Sequence, residues 1–380
     1  MAHLCIHPNP IYYCVGEKKM EKIKSTSKLI LISCITFFSL IGCLQKNIID
    51  DVQLIQGSVF DVAKDNKVKV TFVCPIQKKG NKVQVFEGSA NAVKQVKADT
   101  SLESSQPFAS GQMRVALYTI RLAKTGMSTS FDTLLRDVNI GNALYAALLD
   151  GNGTELLKGK YSTSYNVAIY IKKLLEHNME TGPLPADNLH IGAFRYYQEG
   201  KDYYIPILKK HGDKIKITGI GLFKKDKYIG KIAEKDMFIF KGLLEKHKLD
   251  SHEFKTDSAY VMINNIRSVP TYDIKIKNGK PSFFIHVRLD ARIQELSKQI
   301  NLENNKNTKN IEKDVQKQLD KQAAKLIKQF KSLGVDPLGL GAKYKQHYRP
   351  FKLEEWRQMY KDVPVHIKYT VNITNSGVIE

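Results

Sequence analysis

Asp150-Gly151-Asn152-Gly153-Thr154-Glu155 opens in the manner of a calcium loop, with carboxylate and amide oxygens spaced to converge on a hard cation. Its sixth position is Glu155 where the sharp turn demands glycine, and no suitable glutamate closes it, so the segment reads as a glycine-rich turn. Gly159-Lys160 has the ending of a phosphate-binding loop, but Thr154 stands where the first glycine is required and Tyr161 replaces the Ser or Thr that would hold magnesium. Gly219-Ile220-Gly221 lacks the third glycine of a dinucleotide fingerprint and lies inside a strand pattern, which points to a bulge or close packing. Histidines 177, 190, 211, 247, 252, 286, 347 and 366 include no i, i+4 pair with an intervening glutamate of the kind zinc proteases use. His286 and His366 fall on the polar positions of alternating strands and are expected in solvent. No Gly-x-Ser-x-Gly elbow occurs and no cysteine sits in a thiolate-favouring motif. These patterns give no catalytic residue, metal or cofactor, and the chain is not read as an enzyme.

One cysteine does sit at the end of a processing signal. Residues 29–42 form an apolar run of 14 that ends Leu40-Ile41-Gly42 just before Cys43, with Lys22, Lys24 and Lys28 upstream. A helix crossing the hydrocarbon core needs roughly 20 residues, so the run reads as a signal peptide. A small residue before cysteine at its end resembles a lipoprotein processing box, in which the thiol is acylated before cleavage. Cys43 is the expected lipidation site and first residue of the mature chain. Met20 makes a better start than Met1, because residues 1–19 would give an unusually long basic region containing Pro8 and Pro10. Gly16-Glu17-Lys18-Lys19 is what a purine-rich ribosome-binding tract would encode, and residues 1–19 are read as untranslated leader.

Residues 1–42 hold five of the 59 basic and two of the 38 acidic side chains, so the exported part keeps 54 and 36, a net charge of about +18. Such an excess favours an anionic surface, and for a tethered protein anionic lipid is the nearest one. Only nine of the basic residues are Arg, which supplies the forks that read base edges, and export removes nucleic acid as a partner. Of five cysteines only Cys43 and Cys74 survive processing, so with Cys43 acylated no internal disulfide forms. Cys74 alternates with Val68, Val70 and Phe72 and is expected as a small buried side chain.

Alternation and helical spacing give the elements. Residues 67–74 and 83–86 read as a hairpin, 90–98 as a helix, 113–120 and 143–149 as buried strands, 131–138 and 165–177 as helices. This is an α/β domain over residues 43–182. The Pro- and Gly-bearing stretch 179–187 is the expected boundary. A small middle α/β domain over 183–252 follows, with a helix at 189–197, strands at 203–208, 214–223 and 227–232, and a helix at 234–247. The last domain, 253–380, places strands 271–277 and 282–293 around Asn278-Gly279, a dipeptide suited to a tight hairpin. Ile311, Val315, Leu319, Ala323, Leu326, Ile327 and Phe330 recur at three and four as a long helix, closed by Gly334 and Pro337. A short helix at 354–360 and a strand at 365–373 complete it. The expected architecture is α/β plus α+β: central sheets flanked by helices, then a C-terminal antiparallel sheet with one long helix.

Asp336-Pro337-Leu338-Gly339 within residues 330–345 resembles the Asp-Pro-Leu-Gly or Asp-Pro-Phe-Gly turn of the Ger(x)C family, the lipoprotein C subunits of spore germinant receptors. Residues 355–365, from Glu355-Trp356 to Val365, are similar to that family's lead into its last strand, as are 219–230 to its hairpin and 134–147 to its Arg-Asp segment. The family commonly has Gly-Cys-Trp-Asp at the processed end, where this chain has Gly42-Cys43-Leu44-Gln45, and a histidine where this chain has Gln112. The resemblance implies a three-domain protein on the outer face of the spore inner membrane. It implies assembly with two integral-membrane receptor subunits, an A type and a transporter-like B type, and attachment to lipid through acylated Cys43. It implies no catalytic residue.

A lipid-anchored solute-binding protein of a transporter is the alternative, and it requires two similar α/β lobes around a polar cleft. The unequal domains argue against it.

Overall fold

The computed structural model describes residues 51–76 and 80–376. The leader, the signal peptide and Cys43 lie outside the described residues. Strand β1 (Gln53–Leu54) leads into β2 (Gly57–Val62), β3 (Val68–Pro75) and β4 (Val83–Ala90), then helix α1 (Val93–Ser101) and β5 (Phe108–Ala109), which pairs parallel with β1. Next come β6 (Val115–Thr119), α2 (Ile120–Thr125), α3 (Ser128–Arg136), β7 (Tyr145–Leu149), α4 (Gly153–Leu157), α5 (Val167–Glu180) and α6 (Leu189–Tyr197). Strands β8 (Tyr204–His211), β9 (Lys214–Lys224) and β10 (Lys227–Ala233) precede α7 (Met237–Leu244). Asparagines set several of these starts: the side chains of Asn152, Asn166 and Asn188 accept hydrogen bonds from the third residue on, capping α4, α5 and α6.

Eight of these strands form one sheet in the order β10-β9-β8-β7-β6-β2-β3-β4. Its centre is parallel, β2 with β6, β6 with β7 and β7 with β8, and antiparallel meanders flank it on both sides. Such a centre is covered on both faces, and all five residues of β6 are buried. Val115 and Leu117 face one core with Val59, Ala147 and Leu149; Ala116 and Tyr118 face the other with Phe60, Val70 and Leu148. Helices α1, α2, α3 and α6 cover the second face through Val96, Leu122, Phe131, Leu134 and Leu189. The first face packs on α4, α5, α7 and the rest of the chain.

The sheet runs unbroken across residue 183, where the sequence suggests a domain boundary. Leu148 and Leu149 of β7 pair with Ile207 and Leu208 of β8, so the strands of the expected middle unit extend the first sheet. The free backbone edge of β7 requires a partner, and β8 supplies it. The expected helix at 234–247 is shorter than its pattern: a 3-10 turn spans Glu234–Asp236, α7 ends at Leu244, and Glu245 is already extended.

Beyond α7, β11 (Ser251–Lys255), β12 (Tyr260–Lys277), β13 (Lys280–Leu296), α8 (Asn305–Leu333), α9 (Leu340–His347), α10 (Leu353–Met359) and β14 (Val365–Ser376) make a second layered unit. Its sheet order is β11-β12-β13-β14. Asn278 and Gly279 both have positive φ, 51° and 72°, which turns β12 into β13 in two residues. Strands β11 to β13 are antiparallel as expected, while β14 joins β13 in parallel after the crossover through α8, α9 and α10. Helix α8 lies across this sheet with all seven of the periodic apolar residues buried, and Gly334 ends it in the left-handed conformation at φ 66°.

Candidate functional site

The described chain begins eight residues after Cys43 and is fixed at once: the Gln53 amide donates to the Pro107 carbonyl and that of Ile55 to Ala109, each at 2.9 Å, with Ile55 fully buried. Cys74 is buried as expected, and burial pushes its thiol up to about 12, away from thiolate chemistry. No described helix is long and apolar enough to cross a membrane.

The loops whose sequences approach ligand-binding motifs have structural roles. Asn152 caps α4, Asp150 pairs with Lys209 at 3.0 Å and Glu155 with Lys210 at 2.8 Å. Among the described residues no group of three His, Cys, Asp or Glu side chains could hold a metal ion. Gly219 has φ 152° and leaves no room for a Cβ beside the Ile232 carbonyl, which is the close packing its pattern points to. His286 and His366 are exposed on neighbouring strands, and the His366 ring stacks on Phe284 at 4.9 Å.

A denser set of polar contacts joins the first sheet to the C-terminal unit. Between α8 and α9 the chain turns through Asp336-Pro337-Leu338-Gly339, and Asp336 is almost wholly buried. Its carboxylate accepts the Gly341 amide at 2.7 Å, while the other oxygen, Oδ1, has no partner among the described residues. Residues 199–202, which lead into β8, lie against this turn. The Asp202 amide donates to the Asp336 carbonyl at 2.9 Å, and the Asp202 carboxylate accepts the Asp336 amide at 2.7 Å. Ala342 donates to the Gly200 carbonyl at 2.9 Å, and Lys345 pairs with Glu199 at 2.7 Å. Gly200 has φ 77°, and a Cβ there would stand 2.5 Å from the Ala342 nitrogen, so only glycine permits this approach.

Burial sets the electrostatics of this clamp. It raises the Asp336 carboxyl to about 7; the amides of Gly341, Leu340 and Gly339 oppose the shift and the charge of Asp202 adds to it. Asp202 is likewise raised by burial, and Lys201 is lowered to about 8. The turn backs onto aromatic rings, Tyr344 against Trp356 at 5.9 Å and Trp356 against Tyr360 at 5.3 Å. A cleft of about 220 Å³ opens beside it, lined by Tyr196, Lys201, Asp202, Trp356 and Arg357 among others. Both carboxyls accept backbone amides from the opposite segment or from the turn itself, so the arrangement joins the two structural units.

Two further buried cations tie down the 179–187 stretch. The Lys241 ammonium donates to the carbonyls of Met179 and Gly182 at 2.8 and 2.7 Å. Arg195 meets Asp187 at 3.1 Å and the Ala186 carbonyl at 2.6 Å, with its guanidinium over the Tyr204 ring. The sequence singles out Asp336 through its motif. Asp202, Lys241 and Arg195 carry no comparable signal, since each sits in a segment whose pattern reads as turn or amphipathic helix.

The description "Spore germination protein N-terminal domain" matches residues 45–210, and "Spore germination B3/ GerAC like, C-terminal" matches 218–377. The chain is 34% identical over 346 residues to spore germination protein GerQC of Bacillus cereus, covering 90% of this chain and 96% of that protein. It is 23% identical over 392 residues to the putative spore germination protein YfkR of Bacillus subtilis (strain 168), covering 95% and 98%. The crystal structure of the GerBC protein shares the fold with a TM-score of 0.53 at 15% identity, over 84% of this chain and 97% of that one.

Proposed function

Because this chain belongs to the GerAC-like family of spore germination proteins, we propose that it is the lipid-anchored C subunit of a germinant receptor and acts as a non-catalytic scaffold in nutrient-triggered germination. The observation that carries this reading is one of position: the family match starts at residue 45, two residues beyond Cys43 and its signal-like apolar run. Two or more acyl chains carried on Cys43, at roughly 0.8 kcal/mol per buried CH₂, hold the folded part at the outer face of the spore inner membrane. Confinement to that surface raises the effective concentration of two integral-membrane partner subunits, one transporter-like B type and one A type, so weak individual interfaces suffice. The Asp202–Asp336 clamp lets the two sheets act as one body between those partners.

Cys43→Ser tests the reading. The expected result is loss of the protein from spore membranes together with a deficient response to nutrients. Retention in the membrane with normal germination overturns it. Recovery of the tagged full chain from spore membranes is expected to bring two multi-span proteins with it, and recovery with none counts against the partner assignment.

A further inference from the structure

The four most exposed large apolar side chains among the described residues are Val138 at 95%, Leu102 at 89%, Phe194 at 63% and Tyr197 at 61%. All four stand on one layer, Tyr197 at its edge, where it lines the cleft shared with Trp356 and Arg357. Leu102 caps the end of α1, Val138 follows α3, and Phe194 and Tyr197 are three residues apart on α6. These helices cover the face of the eight-stranded sheet that is turned away from the C-terminal unit.

The same layer receives the chain arriving from Cys43. Gln53 bonds to Pro107, and Pro107 and Phe108 line a groove with Ser101, next to Leu102, and Val138. The eight residues from Cys43 through Asp50 span at most about 28 Å when fully extended. An anchor on Cys43 therefore keeps the start of the described chain within about 28 Å of the lipid surface.

We propose that the outer surface of the α1, α3 and α6 layer lies on the bilayer that holds acylated Cys43, with Leu102, Val138 and Phe194 entering the boundary between headgroups and acyl chains. This rests on the anchored reading above. Single apolar tips set apart by polar residues suit a fluid interface, whereas a protein interface gathers its apolar residues into one central patch. The charges between the tips are mixed, Lys94, Lys124 and Arg136 with Asp99 and Glu103, so the contact is apolar and insensitive to salt.

The test uses the full lipoprotein, reconstituted into vesicles of phosphatidylglycerol and phosphatidylethanolamine. A fluorophore is attached at Leu102→Cys or Phe194→Cys, and at Leu249→Cys or Tyr260→Cys as exposed positions elsewhere. Cys74 is fully buried and does not compete for label. Brominated acyl chains are expected to quench the probes at 102 and 194 several-fold more than those at 249 and 260, equally at low and high salt. Equal quenching at all four, with vesicles still floating the protein, overturns this orientation and leaves the anchor standing. Protein that does not float overturns both. Probes at 102 and 194 that are shielded from aqueous quencher in spore membranes, yet not quenched by lipid in vesicles, assign the layer to a protein partner and overturn the lipid contact.

Discussion

Asp202 and Asp336 answer each other twice across the junction of the two sheets, amide to carbonyl at 2.9 Å and carboxylate to amide at 2.7 Å. Their separation of 134 positions in sequence makes this a long-range closure of the chain. Asp202→Ala removes the acceptor and leaves the buried Asp336 amide without a partner, at a cost of about 1–3 kcal/mol. A lowered unfolding midpoint in urea with an unchanged slope is the expected outcome; an unchanged midpoint would show that the clamp is dispensable.

Asp336 gives the clamp a pH dependence. Its folded carboxyl is raised to about 7 from an ordinary value of 3.8, so between those values the folded state binds the proton that the unfolded chain has released. Stability from this group is therefore complete below about pH 4 and falls as pH rises through 7, by at most about 4 kcal/mol. Asp336→Asn carries no charge at any pH. Its stability relative to the parent chain is expected to improve steadily from pH 5 to pH 7.5, and a flat difference over that range would contradict the assignment.

Gly200 and Gly212 separate crowding from backbone strain. Both have positive φ, 77° and 61°, but a Cβ at Gly212 meets open space whereas one at Gly200 strikes the Ala342 amide. Gly212→Ala is expected to cost about 1 kcal/mol and Gly200→Ala clearly more, because the clamp must open to admit the methyl group. Thermal melts of the two variants side by side check the order.

How much of this was legible depends on which atoms carry the information. Helix α6 was readable to the residue, because its apolar pattern begins just after Asn188 and Asn caps its first turn. The buried face of α8 and its Gly334 stop were readable for the same reason, a periodic face with a left-handed closing residue, but its start at Asn305 was not, because the turn ahead of Ile311 is polar throughout. The joining of β7 to β8, and of β14 in parallel to β13, was not, because pairing runs through backbone groups that every residue shares. Of the clamp, Asp336 was visible through its motif, while Glu199-Gly200-Lys201-Asp202 looks like any polar turn. Lys241 was hidden by a helix buried nearly all round, in which a lysine appears to mark a solvent face that does not exist.

Lys241→Met tests that hidden role. Its ammonium holds the carbonyls of Met179 and Gly182, and methionine fills the volume without donating. Loss of two charge-assisted bonds is expected to speed amide exchange across residues 179–187 about tenfold or more, one bond of this kind being worth roughly 1.5–3 kcal/mol. Exchange unchanged there would place the order of this stretch in Leu184 and its apolar contacts instead.

Anchoring and folding are separable, and a pair of variants distinguishes them. Cys43 lies eight residues ahead of the first described residue, so Cys43→Ser leaves the contacts of both sheets intact. Its soluble product is expected to melt at the same temperature as the lipidated chain while failing to sediment with membranes. Phe330 is fully buried, edge-on to Phe240 at 5.8 Å, and links α8 to α7 beneath the first sheet. Phe330→Ala leaves a cavity costing about 3–5 kcal/mol and is expected to lower the melting temperature while the protein still sediments. If germination fails in both variants, tether and rigid body are each required. If it survives in Phe330→Ala at a temperature where the variant is folded, tight packing between α7 and α8 is not part of what germination requires.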